Sequence, residues 1–197
     1  LIGWPDVDWV PAHEGPGGEP VLDVMVVGAG QGGLATASLL MRERVTNILV
    51  VDESDPGEEG IWCRFARMVT LRTPKQIGGP DLGVPCLTFQ AWFEAQHGPA
   101  AWTALHKIAR QDWQVYLGWF RRVLRLPVEN GVRLTGVEPA GPYLRAHLLS
   151  AGRSGSRLTR KLVLANGIEG SGSWALPAEI AALPERLRAH SADPIDF

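Results

Sequence analysis

The sequence predicts an α/β fold with a mainly parallel sheet, and three observations carry that expectation. Residues 23–27 (DVMVV) are a short β-rich apolar run that leads at once into GAGQGG. Residues 34–44 (LATASLLMRER) follow, with Leu34, Ala37, Leu40 and Met41 at helical spacing. Residues 48–52 (ILVVD) then form a second strand of the buried type, running into the carboxylates Asp52 and Glu53. Strand, tight turn, helix and strand make a βαβ unit of about 30 residues, whose crossover sets the two strands parallel.

Composition bounds the rest. In 197 residues, 19 Lys+Arg stand against 21 Asp+Glu for a formal charge of −2, so no polybasic surface for nucleic acid is expected. With 45% hydrophobic and 20% charged residues the chain can bury a core, which excludes general disorder and suits one domain. No apolar run approaches the ~20 residues of a membrane helix, and the first 20 residues lack the regions of a signal peptide. A soluble cytoplasmic protein is the expectation. Leu1 in place of Met suggests processing or trimming at this end.

Two cysteines, Cys63 and Cys86, make neither a disulfide framework nor a four-ligand zinc site, and are read as ordinary thiols that pair only if the fold brings them close. The five histidines show no HExxH spacing and no serine sits in GxSxG, which sets aside zinc and serine hydrolases.

Residues 1–20 combine Pro, Gly and acidic residues without periodicity and read as an irregular arm, with Trp4 and Trp9 packing it onto the body or offering it to a partner. Residues 21–197 form the domain. The stretch 56–85 is rich in Gly, Pro and Arg and is expected to be loop. A helical insertion spans about 86–127: Thr88 caps FQAWFEAQ, Gly98 and Pro99 end it and start a short second helix, and Asp112 caps a third. On that third helix Trp113, Tyr116, Leu117, Phe120, Val123 and Leu124 fall on one stripe for the core. Residues 132–137 and 143–149 read as strands joined by PAGP, and SAGRSGS separates them from RLTRKLVLA, a small antiparallel β-meander over about 132–160. LVLANG is a further strand ending at Asn166 and Gly167, and residues 178–190 are a helical stretch broken by Pro184.

The turn carries the chemistry. Gly28, Gly30 and Gly33 satisfy GxGxxG, with Ala29, Gln31 and Gly32 between them. The first glycine permits the tight turn, the second admits a pyrophosphate to the backbone, and the third lets helix and strand pack closely. Amides at the positive end of the helix then face the anion. Asp52, 19 positions after Gly33, is the candidate acceptor for an adenosine ribose, while strand alternation points Glu53 to the opposite side. The same two carboxylates also fit a solvated turn. An acidic residue there suits FAD or NAD over NADP.

Taken together, GAGQGGLATASLL, the strand ending in Asp52, the GIW of Gly60 to Trp62, MVTLRTPK, LVLANG and His190-Ser191 resemble the flavin-containing monooxygenases and the related Baeyer–Villiger and N-hydroxylating flavoenzymes. The resemblance spans about residues 22–197. It implies a Rossmann-like FAD-binding domain in which the glycine turn holds FAD, with Gly60, Trp62, Arg72, Val137, Asn166 and Gly167 as further cofactor contacts. Trp62 either touches the isoalloxazine or packs, and Arg64, Arg67 and Arg72 either neutralise charge or are solvated. His190 is read as a surface or hinge residue before a catalytic acid. The chain departs from the pattern at Glu59, where the family has Gly, at Asn166 for Thr, at Arg72 for an Asn tied to oxygen chemistry, and at Pro184 and Arg186, where the Baeyer–Villiger signature has Phe and Gly.

The resemblance also implies a second GxGxxG domain for NADPH, and no second such unit occurs in these 197 residues. The expectation is therefore the FAD-binding portion of a flavin-dependent oxidoreductase, monooxygenase-like, that uses NADPH only with a downstream domain and acts on a small molecule. An NAD-dependent dehydrogenase and a non-enzymatic nucleotide-binding module are the rival readings.

Overall fold

The computed structural model describes residues 9–64, 66–168, 170, 175–190 and 193. Trp4 and Ser191 lie outside the described residues. A sheet runs in the order β4-β3-β2-β7-β6-β5, built from β2 (Pro20–Val27), β3 (Ile48–Asp52), β4 (Val128–Asn130), β5 (Val132–Ala140), β6 (Tyr143–Ser150) and β7 (Arg153–Leu164). The pairs β4/β3, β3/β2 and β2/β7 are parallel, and β7/β6 and β6/β5 are antiparallel. Helix α1 (Gln31–Arg42) makes the crossover from β2 to β3, as the βαβ pattern requires. The inserted helices are α2 (Phe89–His97), α3 (Pro99–Ala104) and α4 (Arg110–Val123), and α5 (Ala178–Ala181) is a single exposed turn.

Both faces of the parallel strands are buried, which is why they read as unbroken apolar runs. Val24, Val26, Ile48 and Val50 pack against α1 and the inserted helices, while Met25, Leu49 and Val51 pack with Val132, Ala146 and Leu148 on the opposite face. On α4, Trp113, Tyr116, Leu117 and Phe120 reach the core, where Phe89, Trp92 and Trp102 surround them. The Tyr116 hydroxyl donates to the Leu87 carbonyl at 2.7 Å inside this cluster. Burial above all, and the Asp81 carboxylate second, push that hydroxyl well above its ordinary value.

Several local expectations need correction. SAGRSGS is not a separator: only Ala151 and Gly152, both at positive φ, turn the chain. Positive φ at both central positions suits a two-residue hairpin, and pairing with β6 extends Ser154 to Ser156 despite their weak strand preference. The expected third meander strand and LVLANG are therefore one strand, β7. Its first half pairs antiparallel with β6 and its second half parallel with β2, from Leu158 opposite Val21 to Leu164 opposite Val27.

The short strand β4 has too few residues for a periodicity signal; it is fixed by pairing Val128 to Asn130 with Val50 to Asp52. Thr88 accepts from the Ala91 N–H at 3.1 Å as an N-cap, whereas α4 is capped by Ala109 and Asp112 lies inside its first turn. Both placements of an acid suit the helix dipole, which is why the sequence signal is two to three residues loose. Val123, read as core, is half exposed because it sits at the last turn.

Within the segment read as an irregular arm, β1 (His13–Glu14) pairs antiparallel with the start of β2. Trp9 is exposed rather than packed, and is tied down by its indole N–H donating to the Glu43 carbonyl at 2.8 Å.

Candidate functional site

The carboxyl ends of β2, β3 and β7 open into a cleft of about 430 Å³. Its floor is the turn between β2 and α1. Gly28 has φ +102, and a Cβ there would stand 2.5 Å from the Ala165 carbonyl oxygen. At Gly33 a Cβ would meet the Gly28 carbonyl oxygen at 1.8 Å. Those two contacts are the physical content of the first and third glycines, the turn folded against β7 and the helix drawn onto its own strand.

Gly30 is the N-cap of α1. No side chain caps that end and its first turn carries no acidic residue, so the free amides and positive dipole face the cleft. Gly60 packs against Gly30: a Cβ placed on Gly30 would lie 3.4 Å from the Gly60 Cα, so the two glycine backbones meet at one edge of the cleft. Beside that contact the uncapped helix end opens onto the cleft, and its backbone amides fit the pyrophosphate of a dinucleotide.

Asp52 does more than wait for a ribose. Its Oδ2 accepts from the Ala29 N–H at 2.7 Å and its Oδ1 from the Ser54 N–H at 2.8 Å, so it joins the glycine turn to the end of β3. It also lines the cleft, and carboxylate oxygens that each accept one bond keep capacity for another. Glu53 does not turn to the opposite side as alternation suggested. The strand ends at Asp52, the next residues bend, and Glu53 lines the same cleft with its carboxylate 3.2 Å from Arg133 Nε.

The remaining candidates divide. Gln31, Gly32, Gly60, Trp62, Asn166 and Gly167 line the cleft. The Trp62 ring meets Trp113 edge-on at 6.4 Å and its carbonyl accepts from Arg110, while the Trp113 indole donates to Gln31 Oε1 at 3.2 Å. Trp62 therefore both packs and faces the cleft. Ala29 and Gly33 shape the turn from behind.

Arg72 is exposed away from the cleft. The Thr70–Ala109 bridge and the Leu71 N–H bond to Ile108 hold its segment against the start of α4. Val137 is likewise removed, because β5 leaves the cleft after Leu134, and Val137 pairs with Ala146 out along the meander. Arg64 lines the cleft beside Ser54, whereas Arg67 donates to the Asp193 carbonyl outside it. His190 N–H donates to Asp193 Oδ2 at 2.6 Å, and neither residue lines the cleft. Cys63 and Cys86 are free and exposed.

Sequence reasoning missed Glu59 as a structural residue. It is buried, its Oε1 accepting from Arg121 at 2.6 Å and from Asn130 at 2.8 Å, its Oε2 from the Gly57 N–H at 2.8 Å. Gln114 also donates to the Gly57 carbonyl at 2.8 Å. This network pins the loop that presents Gly60, and a lone carboxylate where the resembled family has Gly was the available signal. Among the described residues no group of His, Cys, Asp and Glu is placed to hold a metal, and no helix is long and apolar enough to cross a membrane.

Comparisons with known proteins agree with this geometry. A family model described as FAD-NAD(P)-binding matches residues 25–167. The chain is 52% identical over 191 residues to the FAD-dependent urate hydroxylase of Xanthomonas campestris pv. campestris, covering 96% of this chain and 40% of that protein. Among solved structures, an ornithine hydroxylase from Pseudomonas aeruginosa superposes with TM-score 0.63 at 19% identity, over 82% of this chain and 42% of that one. The FAD-bound cadaverine monooxygenase of Erwinia amylovora gives TM-score 0.62 at 18% identity, over 75% and 36%. These two likenesses show the fold. The family match, laid over the glycine turn, Asp52 and the end of β7, shows more: the chain belongs to the FAD-NAD(P)-binding family and is an FAD-binding domain.

Proposed function

We propose that this chain holds FAD for a flavin-dependent monooxygenase whose substrate is an oxidised purine of the urate type. The observation that carries the cofactor reading is the uncapped Gly30 end of α1 opening, beside Gly60, onto a cleft that Asp52 also lines. The urate class is supported by 52% identity to the urate hydroxylase, although the chain spans 40% of that protein's length.

Within this reading the residues divide the work. Backbone amides at Gln31 and Gly32 hold the pyrophosphate, since backbone donors at a helix start are fixed in direction. Asp52 accepts from the ribose while keeping the turn in shape. Trp62, braced by Trp113 and Arg110, limits water at the wall beside Gly60. FAD, when bound in the cleft, would supply the redox chemistry, hydride acceptance and electron transfer to oxygen. NADPH would need a second site to hold its nicotinamide, a positioning effect worth up to ~7–11 kcal/mol of barrier. Exposed thiols at Cys63 and Cys86 suit a reducing cytoplasm.

Titrating the apo chain with FAD and with NAD⁺ separates a flavoprotein from a dehydrogenase; FAD should saturate one site and NAD⁺ should not displace it. Flavin photoreduced on the chain and exposed to air with urate should then consume up to one urate per flavin. FAD binding without urate loss would remove the hydroxylase reading and leave the cofactor reading standing.

A further inference from the structure

Sequence patterning gives residues 132–134 no role beyond forming a strand, yet Val132, Arg133 and Leu134 form a wall of the cleft on the Asp52 side. They are held there by backbone: Gly131 N–H donates to the Ser54 carbonyl at 3.2 Å, stitching the start of β5 to the chain just past Asp52. Arg133 Nε then lies 3.2 Å from the Glu53 carboxylate, with the two side chains 68% and 51% exposed. An ion pair this exposed contributes little to folding. Its consequence is orientation, because a carboxylate on the Nε edge fixes the plane of a guanidinium and leaves its flat face free.

Val132 and Leu134 turn to the core on the other face of β5 and anchor that strand, and the flat cation that alternates out between them is chemistry that receives an aromatic base. An additional phosphate is disfavoured at Arg133, since the Glu53 carboxylate already stands 3.2 Å from its Nε and Asp52 lines the same cleft. Resting on the FAD reading above, we propose that Arg133 is a binding residue for the adenine of FAD and that Glu53 is the positioning residue that holds its guanidinium flat.

The test measures the affinity of wild type, Arg133→Ala, Arg133→Lys and Glu53→Gln for FAD, ADP and FMN, with melting curves to establish that each variant is folded. Arg133→Ala should weaken FAD and ADP by the same factor, roughly five- to tenfold, and leave FMN, which lacks adenine, unchanged. Arg133→Lys keeps the charge without the plane and should bind no better than Arg133→Ala. Glu53→Gln should cost FAD about two- to threefold. Unchanged FAD affinity in Arg133→Ala, an equal loss for FMN, or full recovery in Arg133→Lys overturns this assignment alone. A folded wild-type chain that binds neither FAD nor ADP overturns the cofactor reading and this assignment together.

Discussion

The Ala29 N–H donates to Asp52 Oδ2 at 2.7 Å, a buried bond between the glycine turn and the end of the neighbouring strand. Because Asp52 Oδ1 also accepts from Ser54, the carboxylate builds the cleft before it meets any cofactor. Asp52→Asn must place an amide N–H₂ against one of these two donors. The expected result is a loss of about 1–3 kcal/mol in the stability of the apo chain, along with weaker FAD binding. Urea denaturation without cofactor checks it, and an apo stability equal to wild type would restrict Asp52 to a ribose contact.

The glycines of the turn should separate by function. Gly33→Ala forces a Cβ to 1.8 Å from the Gly28 carbonyl oxygen, and backbone cannot give way as a flexible side chain would. A loss of roughly 3 kcal/mol is expected. Gly30→Ala meets only Gly60 at 3.4 Å, ordinary contact, and should fold as wild type does. Thermal melting of the two variants decides the matter; equal melting temperatures would contradict the assigned roles.

Glu59→Ala leaves the Arg121 guanidinium, 23% exposed, without its carboxylate and frees the loop that carries Gly60. Breaking a pair this buried should destabilise the chain by about 3 kcal/mol. Glu59→Gln, which retains an acceptor for Arg121 or Gly57, should lose less. If chemical denaturation ranks the two variants in the opposite order, the network is not what holds the loop.

Tyr116 gives a pH signature. Its hydroxyl is held neutral in the fold above its ordinary value of 10.0, chiefly by burial, so above that pH the unfolded chain releases a proton that the folded chain keeps. The stability tied to this group is therefore fully present below about pH 10 and is lost as pH rises toward the folded value. Tyr116→Phe removes the bond to Leu87 at a cost of about 1 kcal/mol. Melting temperatures from pH 8 to 11 should show the wild-type advantage over Tyr116→Phe shrinking past about pH 10, and an advantage constant with pH would refute the assignment.

What was legible in the sequence was what local rules determine. The βαβ unit, the Thr88 cap, the α4 stripe from Trp113 to Phe120 and the glycine turn each rest on spacing within one element, and residues in such patterns have few alternative arrangements. What escaped depends on residues far apart in the chain. Glu59 finds Arg121 and Asn130 only once the sheet and α4 are in place. β4 exists only beside β3, and β7 continues through Ser154 to Ser156 only because β6 pairs with it. Val137 and Arg72 were carried over by resemblance and lie off the cleft, whereas Arg133, reached through the Gly131–Ser54 bond, lies on it.

The central claim is that the cleft at the Gly30 end of α1 holds FAD, and calorimetric titration of FAD into the folded apo chain and into Gly30→Ala tests it most directly. A methyl group on Gly30 leaves the protein's own packing intact while adding bulk to backbone that lines the cleft, where the second glycine of the motif admits a pyrophosphate. The account predicts saturable one-site binding to wild type and at least a hundredfold loss, about 2.7 kcal/mol, in Gly30→Ala. Equal FAD affinity in the two proteins, or no binding to a folded wild-type chain, would contradict it.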